Sequence, residues 1–205
     1  MISDQKLKLA GQLLKIGAIK FGNFRLKLHE KNPDAPLSPI YIDLRLLRSF
    51  PDVIDSAVEV YRQLSADFIF DIYADVPTAA TPIVAILSHV TRVPMISPRK
   101  DEKKHGTAGP IDGVFTPGQK VLLVDDLITN AGSKLETISV LEDNRLIVSG
   151  VVVLVDREQG GVPELERNGY ACRAAFRLIE LLEFYSSTGL ISRDDYRRTM
   201  DYLQM

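Results

Sequence analysis

The fold is decided by the stretch Val121-Leu122-Leu123-Val124-Asp125-Asp126-Leu127-Ile128-Thr129-Asn130-Ala131-Gly132-Ser133-Lys134. Its continuous apolar run is typical of a strand buried on both faces of a parallel sheet, and two aspartates follow that run directly. A turn of small residues then leads into a predicted helix, residues 133–141. The next predicted strand, residues 147–155, is also followed by an acid, Asp156. This β-α-β unit predicts an α/β fold with a mostly parallel sheet flanked by helices.

Predicted elements extend in both directions from this unit. Apolar residues at helical spacing over residues 7–19 predict a first helix, which Gly17 weakens without ending. Residues 24–28 and 39–43 alternate apolar and polar side chains and predict a hairpin with a wide loop. The remaining predicted elements are a helix from Pro51, a strand over 68–73, a helix over 82–90, a strand over 94–96, a long loop over 97–119, a strand over 171–176, and helices over 178–185 and 193–203.

Length and composition favour one domain without a global charge. The 205 residues, 45% of them hydrophobic, can bury a core, so we expect a single domain in which 1–48 form an N-terminal helix and hood hairpin and 49–205 form the α/β core. The 25 basic and 27 acidic residues nearly cancel, so neither nucleic acid nor an anionic membrane is an expected partner. Because Cys172 is the lone cysteine and no apolar run approaches ~18 residues, we expect a cytoplasmic protein.

The paired carboxylates and the turn after them predict a sugar-phosphate site. Asp125 and Asp126 repel each other unless they are solvated or engaged by hydroxyls or by a metal-bound ligand. The turn 129–133 offers backbone N–H groups, two hydroxyls and the positive end of a helix, which suit a phosphate monoester. Together these groups fit a ribose 5-phosphate. The alternative, a capped helix after a strand, accounts for Thr129 or Ser133 but not for the acid pair.

The segment from Asp125 to Ser133 resembles the diphosphate-sugar motif of type I phosphoribosyltransferases, in which two acids, two hydrophobic residues and a threonine lead into a small-residue turn. Three further stretches are similar to the orotate phosphoribosyltransferase family, especially the form fused to a decarboxylase in uridine monophosphate synthases. They are Phe21-Gly22-Asn23-Phe24-Arg25-Leu26-Lys27 with Ser38-Pro39-Ile40-Tyr41-Ile42-Asp43-Leu44-Arg45, Arg99-Lys100-Asp101-Glu102-Lys103-Lys104-His105-Gly106, and Asp156-Arg157-Glu158-Gln159-Gly160-Gly161. The resemblance spans nearly the whole chain.

This resemblance implies a fold, an activity and an assembly. The fold is that of type I phosphoribosyltransferases with a small N-terminal hood. The activity is Mg²⁺-dependent transfer of phosphoribosyl from 5-phosphoribosyl-1-diphosphate to orotate, giving orotidine 5′-monophosphate and diphosphate in de novo pyrimidine biosynthesis. The loop 99–106 is expected to close over the active site of the neighbouring subunit of a homodimer. The Mg²⁺ is expected to be carried by the substrate near Asp125 and Asp126, with no cage made by protein alone.

The resemblance also implies roles for individual residues. Lys103, His105 and Asp126 are the expected catalytic residues, and Lys27, Thr129 and Arg157 are the expected contacts to orotate. The expected contacts to the diphosphate sugar are Arg99, Lys100, Lys103, His105, Asp125, Asp126, Leu127, Ile128, Thr129, Asn130, Ala131, Gly132 and Ser133.

Chemistry supports some of these roles and leaves alternatives open. The guanidinium of Arg157, at the end of a buried strand, suits the carboxylate of orotate, but it could instead form a salt bridge with Asp156 or Glu158. The cations of the loop 99–106 suit a diphosphate leaving group, whereas on composition alone they form a solvated basic loop. Lys27 has the alternative of an ordinary surface lysine.

Departures from the family pattern keep two rival functions open. Glycine comes one place late, at Gly132, which predicts that Asn130 supplies the positive φ of the turn. Thr78-Ala79 stands where bacterial stand-alone enzymes commonly have Tyr-Lys, and the hairpin loop 29–38 is longer than usual. One rival is a non-catalytic regulatory protein that binds the diphosphate sugar, and the other is a phosphoribosyltransferase for another base.

Overall fold

Two sheets organise the chain, of which a computed structural model describes residues 4–26, 28–99 and 109–203. The smaller sheet pairs two antiparallel strands, β1 (Ile19–Phe24) and β2 (Ser38–Ile42). The larger sheet has the order β5-β4-β3-β6-β7-β8, and every neighbouring pair is parallel except β4 and β5. Its strands are β3 (Ile72–Asp75), β4 (Met95–Pro98), β5 (Ile111–Asp112), β6 (Lys120–Ile128), β7 (Ile147–Asp156) and β8 (Cys172–Arg177). The predicted mostly parallel sheet is confirmed.

Helices cover both faces of the larger sheet. They are α1 (Asp4–Lys15), α2 (Leu28–Lys31), a 3-10 helix (Leu44–Ser49), α3 (Pro51–Ser65), α4 (Thr81–Thr91), α5 (Gly132–Asp143), α6 (Gly161–Arg167), α7 (Leu178–Ser187) and α8 (Arg193–Leu203). Leu122 and Val124 of β6 pack into a core shared with α1, α3, α4, α7 and the hairpin, while Val121 and Leu123 pack into a second core with α5 and α6. Within the described ranges, no helix is long and apolar enough to cross a membrane.

The first helix and the first strand differ from the sequence prediction. Helix α1 stops at Lys15 because Gly17 adopts a left-handed φ of 71°, and the N–H of Ala18 bonds to the carbonyl of Leu13 at 2.9 Å. The chain then enters β1 at Ile19, whereas the prediction placed the strand at 24–28. The predicted hairpin is present, but its first strand begins about five residues earlier than predicted. The error arose because the apolar residues of 16–19 fit the spacing of a helix as well as the alternation of a strand.

Other boundaries moved for identifiable reasons. The strand predicted over 68–73 is β3, and it begins only at Ile72. The ring of Phe68 instead covers Gly150, where an added Cβ would lie 2.2 Å from the ring. Strand β6 continues to Ile128, so both aspartates lie inside it rather than after it. Helix α6 was not predicted, and β5 forms within the stretch predicted as a loop.

Candidate functional site

The two aspartates of β6 lie at the carboxyl end of the central strand, and they have different environments. The Asp125 carboxylate is buried and forms an ion pair with Lys134 of α5, with 2.6 Å between Oδ2 and Nζ. The Asp125 carbonyl accepts a hydrogen bond from the Tyr61 hydroxyl at 2.7 Å. Asp126 is only partly buried, and its N–H donates to Asp125 Oδ1 at 2.8 Å. The mutual repulsion of the two acids is therefore relieved at Asp125 by a protein cation.

The Asp126 carboxyl group has a raised pKa. Burial, followed by the nearby charge of Asp125, raises its pKa from 3.8 to about 7, against the opposing effects of the Leu127 N–H and of Lys134. The Asp126 charge also affects two neighbours. It raises the pKa of Tyr61, for which burial is the larger cause, and the pKa of Arg45, for which Asp43 is the larger cause. Asp126 therefore faces the side of the sheet where the 3-10 helix and α3 lie, and it changes charge near neutral pH.

The turn after β6 has ordinary backbone angles. Neither Asn130 nor Gly132 is among the described residues with positive φ, so the prediction that Asn130 supplies a left-handed conformation is wrong. Asn130 instead accepts the Gly132 N–H on Oδ1 at 3.3 Å, and α5 begins at Gly132. The position of Gly132 therefore requires no unusual backbone conformation in the turn. The displaced glycine was the reason for considering a purely regulatory protein, and that reason no longer applies.

Strand β7 and helix α6 hold this turn from the side. The N–H of Arg157 bonds to the carbonyl of Ile128 at 2.9 Å, and the N–H of Gly161 bonds to the carbonyl of Thr129 at 3.1 Å. Glu164 accepts the N–H of Ala131 on Oε2 at 2.9 Å. The segments 125–133 and 156–161, which the sequence predicted to share a site, are thus bonded to each other.

Arg157 carries a buried positive charge at this edge. The residue is 9% exposed, and its Nε and Nη2 have no hydrogen-bond partner among the residues that the structure describes. Burial lowers the pKa of its guanidinium group. Its two acidic neighbours bond elsewhere, because Glu158 binds Arg177 and Asp156 accepts the Glu158 N–H at 2.8 Å. The strand-end salt bridge considered as an alternative is therefore absent from the described part of the chain.

Arg99 reaches the same region from the end of β4. It forms a two-point ion pair with Asp112, in which Nε lies 2.9 Å from Oδ2, while its buried Nη1 has no described hydrogen-bond partner. Arg99, Pro77 and Ser133 line a cavity of about 250 Å³. The structure thus brings together Arg99 and the turn. Four further expected contacts, Lys27, Lys100, Lys103 and His105, lie outside the described residues.

Two arginines of the 3-10 helix lie close to the site, and neither was among the expected contacts. Arg48 donates from Nη2 to the carbonyl of Thr78, at 3.4 Å, in the loop after β3. Arg45 binds Asp43 through Nε at 2.6 Å and Nη2 at 2.9 Å, which raises the pKa of Arg45 and lowers that of Asp43. The sequence signal for Arg45 was the family-like stretch Asp43-Leu44-Arg45. That stretch alone did not indicate that it lies near the carboxyl end of β6.

The carboxylates of the site do not form a cage for a cation. No cluster of three or more His, Cys, Asp or Glu side chains suited to a metal ion occurs within residues 4–26, 28–99 and 109–203. Asp125 is already paired with Lys134, which leaves Asp126 as the acid of the pair that could contact a hydrated ion. This donor set fits a Mg²⁺ that arrives bound to a diphosphate and touches protein at few points.

Comparison with known proteins finds relatives that are named as uridine 5′-monophosphate synthases or orotate phosphoribosyltransferases. No protein-family model matches the chain. A uridine 5′-monophosphate synthase of Bos taurus is 34% identical over 194 residues, covering 94% of this chain and 39% of the synthase. An orotate phosphoribosyltransferase of Chlamydia caviae is 33% identical over 185 residues, covering 89% of this chain and 87% of that enzyme. The chain therefore spans about two fifths of the one relative and most of the other.

A solved structure agrees with these sequence matches. The UMP synthase of Leishmania donovani superposes on the chain with a TM-score of 0.86 at 32% identity, covering 97% of this chain and 42% of the synthase. The superposition extends over the hood and the α/β core alike, because little of the chain is left unmatched.

Proposed function

Because the chain belongs to the orotate phosphoribosyltransferase family, we propose that it transfers the phosphoribosyl group of 5-phosphoribosyl-1-diphosphate to orotate. N1 of orotate loses its proton and forms the new bond to C1 of the ribose, while diphosphate departs with the electron pair of the bond that breaks and can accept that proton. The product is orotidine 5′-monophosphate, an intermediate of de novo pyrimidine biosynthesis. The observation that carries this proposal is the buried guanidinium of Arg157 beside the turn 129–133, whose Nε and Nη2 have no hydrogen-bond partner among the described residues.

Arg157 supports orotate as the base because of its charge and position. A buried guanidinium without a partner is costly, and a planar carboxylate matches its geometry with two parallel hydrogen bonds. Orotate carries such a carboxylate, whereas uracil and the purine bases do not. Arg157 is tied through its backbone to Ile128, so a carboxylate bound there lies next to the turn. Thr129 at the start of the turn and Lys27 of the hood complete the proposed base contacts.

The sugar occupies the edge formed by β6 and its turn in this proposal. The Asp126 carboxylate binds ribose hydroxyls, and the turn 129–133 binds the 5-phosphate through N–H groups and the hydroxyls of Thr129 and Ser133. Arg99 lines the cavity between the turn and the loop after β3, where a diphosphate fits electrostatically. Lys100, Lys103 and His105 are proposed to join it from the following loop, reaching the site of the other subunit in a homodimer.

Mg²⁺ is proposed to enter with the diphosphate sugar. It supplies charge neutralisation of the diphosphate as the bond to C1 breaks. Asp126, rather than Asp125, is the proposed protein contact near the ion because Asp125 pairs with Lys134. The residues of the chain then orient the two substrates and keep water away from the reacting carbon.

A panel of bases tests this function. The protein is mixed with 5-phosphoribosyl-1-diphosphate, Mg²⁺ and one base at a time, and product is measured by chromatography. We expect product with orotate and none with uracil, hypoxanthine or adenine, and no product when Mg²⁺ is chelated. Calorimetric binding of the diphosphate sugar without turnover of any base would instead identify a regulator, and turnover of another base would overturn the orotate assignment.

A further inference from the structure

Lys134 occupies a position that lysine normally avoids. It lies in the first turn of α5, near the positive end of the helix dipole, and only 4% of its surface is exposed. Lysine is rarely buried to this extent without a partner that offsets the loss of hydration. Lys134 thus contradicts two preferences of lysine, for exposure and for the negative end of a helix, and such a residue is expected to have a specific role.

The ammonium group of Lys134 binds the end of β6 at two points. Its Nζ lies 2.6 Å from Asp125 Oδ2, and both side chains are at most 6% exposed. The same Nζ donates to the carbonyl of Leu127 at 2.6 Å. Lys134 therefore holds the start of the segment that is proposed to bind the phosphoribosyl group at two points, Asp125 and Leu127.

This contact fixes the orientation of both acids. With its Oδ2 bound to Lys134, the Asp125 side chain stays on the α5 side of the sheet, where its Oδ1 accepts the Asp126 N–H at 2.8 Å. That bond sets the direction in which the backbone presents the Asp126 carboxylate. Without the ammonium group, a buried carboxylate would lie uncompensated beside a second one, which would favour its leaving this position.

We propose that Lys134 is a positioning residue of the sugar site, which acts through Asp125 to hold Asp126, and with it the end of β6 that leads into the turn 129–133, in the arrangement that binds 5-phosphoribosyl-1-diphosphate. The inference rests on the proposed function, since only there does this edge bind a phosphoribosyl group. It assigns Asp125 the role of partner to Lys134 and leaves Asp126 as the carboxylate that faces the sugar.

A double-mutant cycle tests the proposal. The variants are Lys134→Met, Asp125→Asn and the double substitution, in which neither side chain is charged and the introduced asparagine retains an acceptor for the Asp126 N–H. The Kd of 5-phosphoribosyl-1-diphosphate is measured by calorimetry with Mg²⁺, and the KM of orotate by turnover. We expect Lys134→Met to weaken sugar binding by about tenfold or more, with the KM of orotate changed less than about twofold. A merely structural lysine would weaken both substrates alike or neither.

The double variant distinguishes action through Asp125 from an independent effect. We expect it to bind the sugar at least about threefold more tightly than Lys134→Met, because it contains no uncompensated buried charge. Equal or weaker binding would overturn the proposal, as would unchanged sugar binding in Lys134→Met. If Lys134→Met does not fold, the double variant is compared with Asp125→Asn instead. A Kd of the sugar that is more than about threefold higher in the double variant than in Asp125→Asn contradicts the proposal.

Two controls complete the experiment. Lys120→Met makes the same chemical change at an exposed position at the start of β6 and should leave the Kd of the sugar unchanged. Binding of the sugar is measured without orotate, so the test of Lys134 does not depend on turnover. Failure of the wild-type protein to convert orotate would therefore count against the proposed function alone.

Discussion

Arg157 is buried at a free-energy cost that the described part of the chain does not offset, which is expected of a residue that is kept for binding, as proposed. Functional groups of this kind are often held against stability. Asp126 is comparable, since burial and Asp125 disfavour its charged form. The sequence predicted both residues from their place after apolar strands and from family resemblance. It missed Lys134, because a lysine nine residues after an acid acquires a partner only once strand, turn and helix have folded.

Replacing Arg157 by methionine separates binding from stability. We expect the KM of orotate to rise by about 10–100-fold, because a charge-assisted two-point contact is lost, while the Kd of the diphosphate sugar changes little. We also expect a melting temperature about 2–4 °C higher, since a buried charge that has no salt-bridge partner in the described ranges is removed. Steady-state kinetics and thermal unfolding measure the two effects. Arg167→Met, at an exposed site of α6, is the control, and equal effects of both substitutions on orotate would contradict the assignment.

The pH dependence follows from Asp126. Its pKa in the folded protein is about 7 against an ordinary 3.8, so we expect kcat/KM for the diphosphate sugar to fall as the pH drops below about 7. The effect of Asp126 on stability has the opposite pH dependence. The folded state binds the proton more tightly, so this group's stabilising contribution is present below about pH 4 and is lost as the pH rises through about 7.

Measurements from about pH 5 to about pH 9 check both effects of Asp126. Asp126→Asn should lose most of the activity, and it should gain melting temperature relative to the wild type at alkaline pH but not at acidic pH. An activity profile that is flat across neutral pH in the wild type would refute the role assigned to this carboxylate.

At the scale of elements, the sequence predicted best where one periodicity dominates. Strand β6 contains the apolar run 121–124, strand β7 is apolar except at Ser149, Gly150 and its last residue, and helix α3 begins at a recognisable proline. The sequence therefore placed all three elements, although β6 extends further than predicted. Strand β1 was displaced because its first residues also fit a helix and only the backbone of Gly17 decides between the two. The short helix α6 has no strong apolar pattern, and its position depends on contacts with the turn after β6.

The contact between α6 and that turn predicts a specific sensitivity at Gly161. An added Cβ would lie 2.5 Å from Ile128 Cγ1 and 3.0 Å from the Thr129 carbonyl oxygen. We therefore expect Gly161→Ala to cost about 1–3 kcal/mol of folding free energy and to weaken binding of the diphosphate sugar. Gly11→Ala in α1, where the new methyl group meets nothing within 4 Å, should stabilise the protein by about 0.5–1 kcal/mol. Denaturant unfolding and calorimetry compare them, and equal stability changes would be contrary to this packing.

At the scale of the whole molecule, the hood and the α/β core form one hydrophobic cluster, with Leu9 and Ile40 in the same core as Val152 and Phe176. Helix α8 adds a polar link, since Arg198 donates from Nη2 to Asn23 Oδ1 at 2.6 Å. The hood is thereby packed against the α/β core. The sequence indicated the order of these parts, but their mutual packing depends on long-range contacts that no local pattern records.

The proposed homodimer with a loop shared between subunits predicts complementation. Asp126→Asn removes a group from one side of each site, and Lys103→Ala removes a group from the loop of the other subunit. Mixing the two inactive variants and allowing subunits to exchange should restore up to about a quarter of the wild-type activity, because half of the dimers are mixed and each has one intact site. Activity no higher than that of either variant alone, with exchange demonstrated, would show that the loop serves its own subunit.

The central claim is that one edge of the sheet holds orotate on Arg157 and the phosphoribosyl group on Asp126 and the turn 129–133. A crystal structure of the protein with orotidine 5′-monophosphate tests it most directly. The account predicts the carboxylate of the base within about 3 Å of Nε and Nη2 of Arg157, and the 5-phosphate bound by the N–H groups of the turn. A nucleotide bound elsewhere, or an Arg157 guanidinium paired with a protein carboxylate while the base faces away from it, would contradict the account.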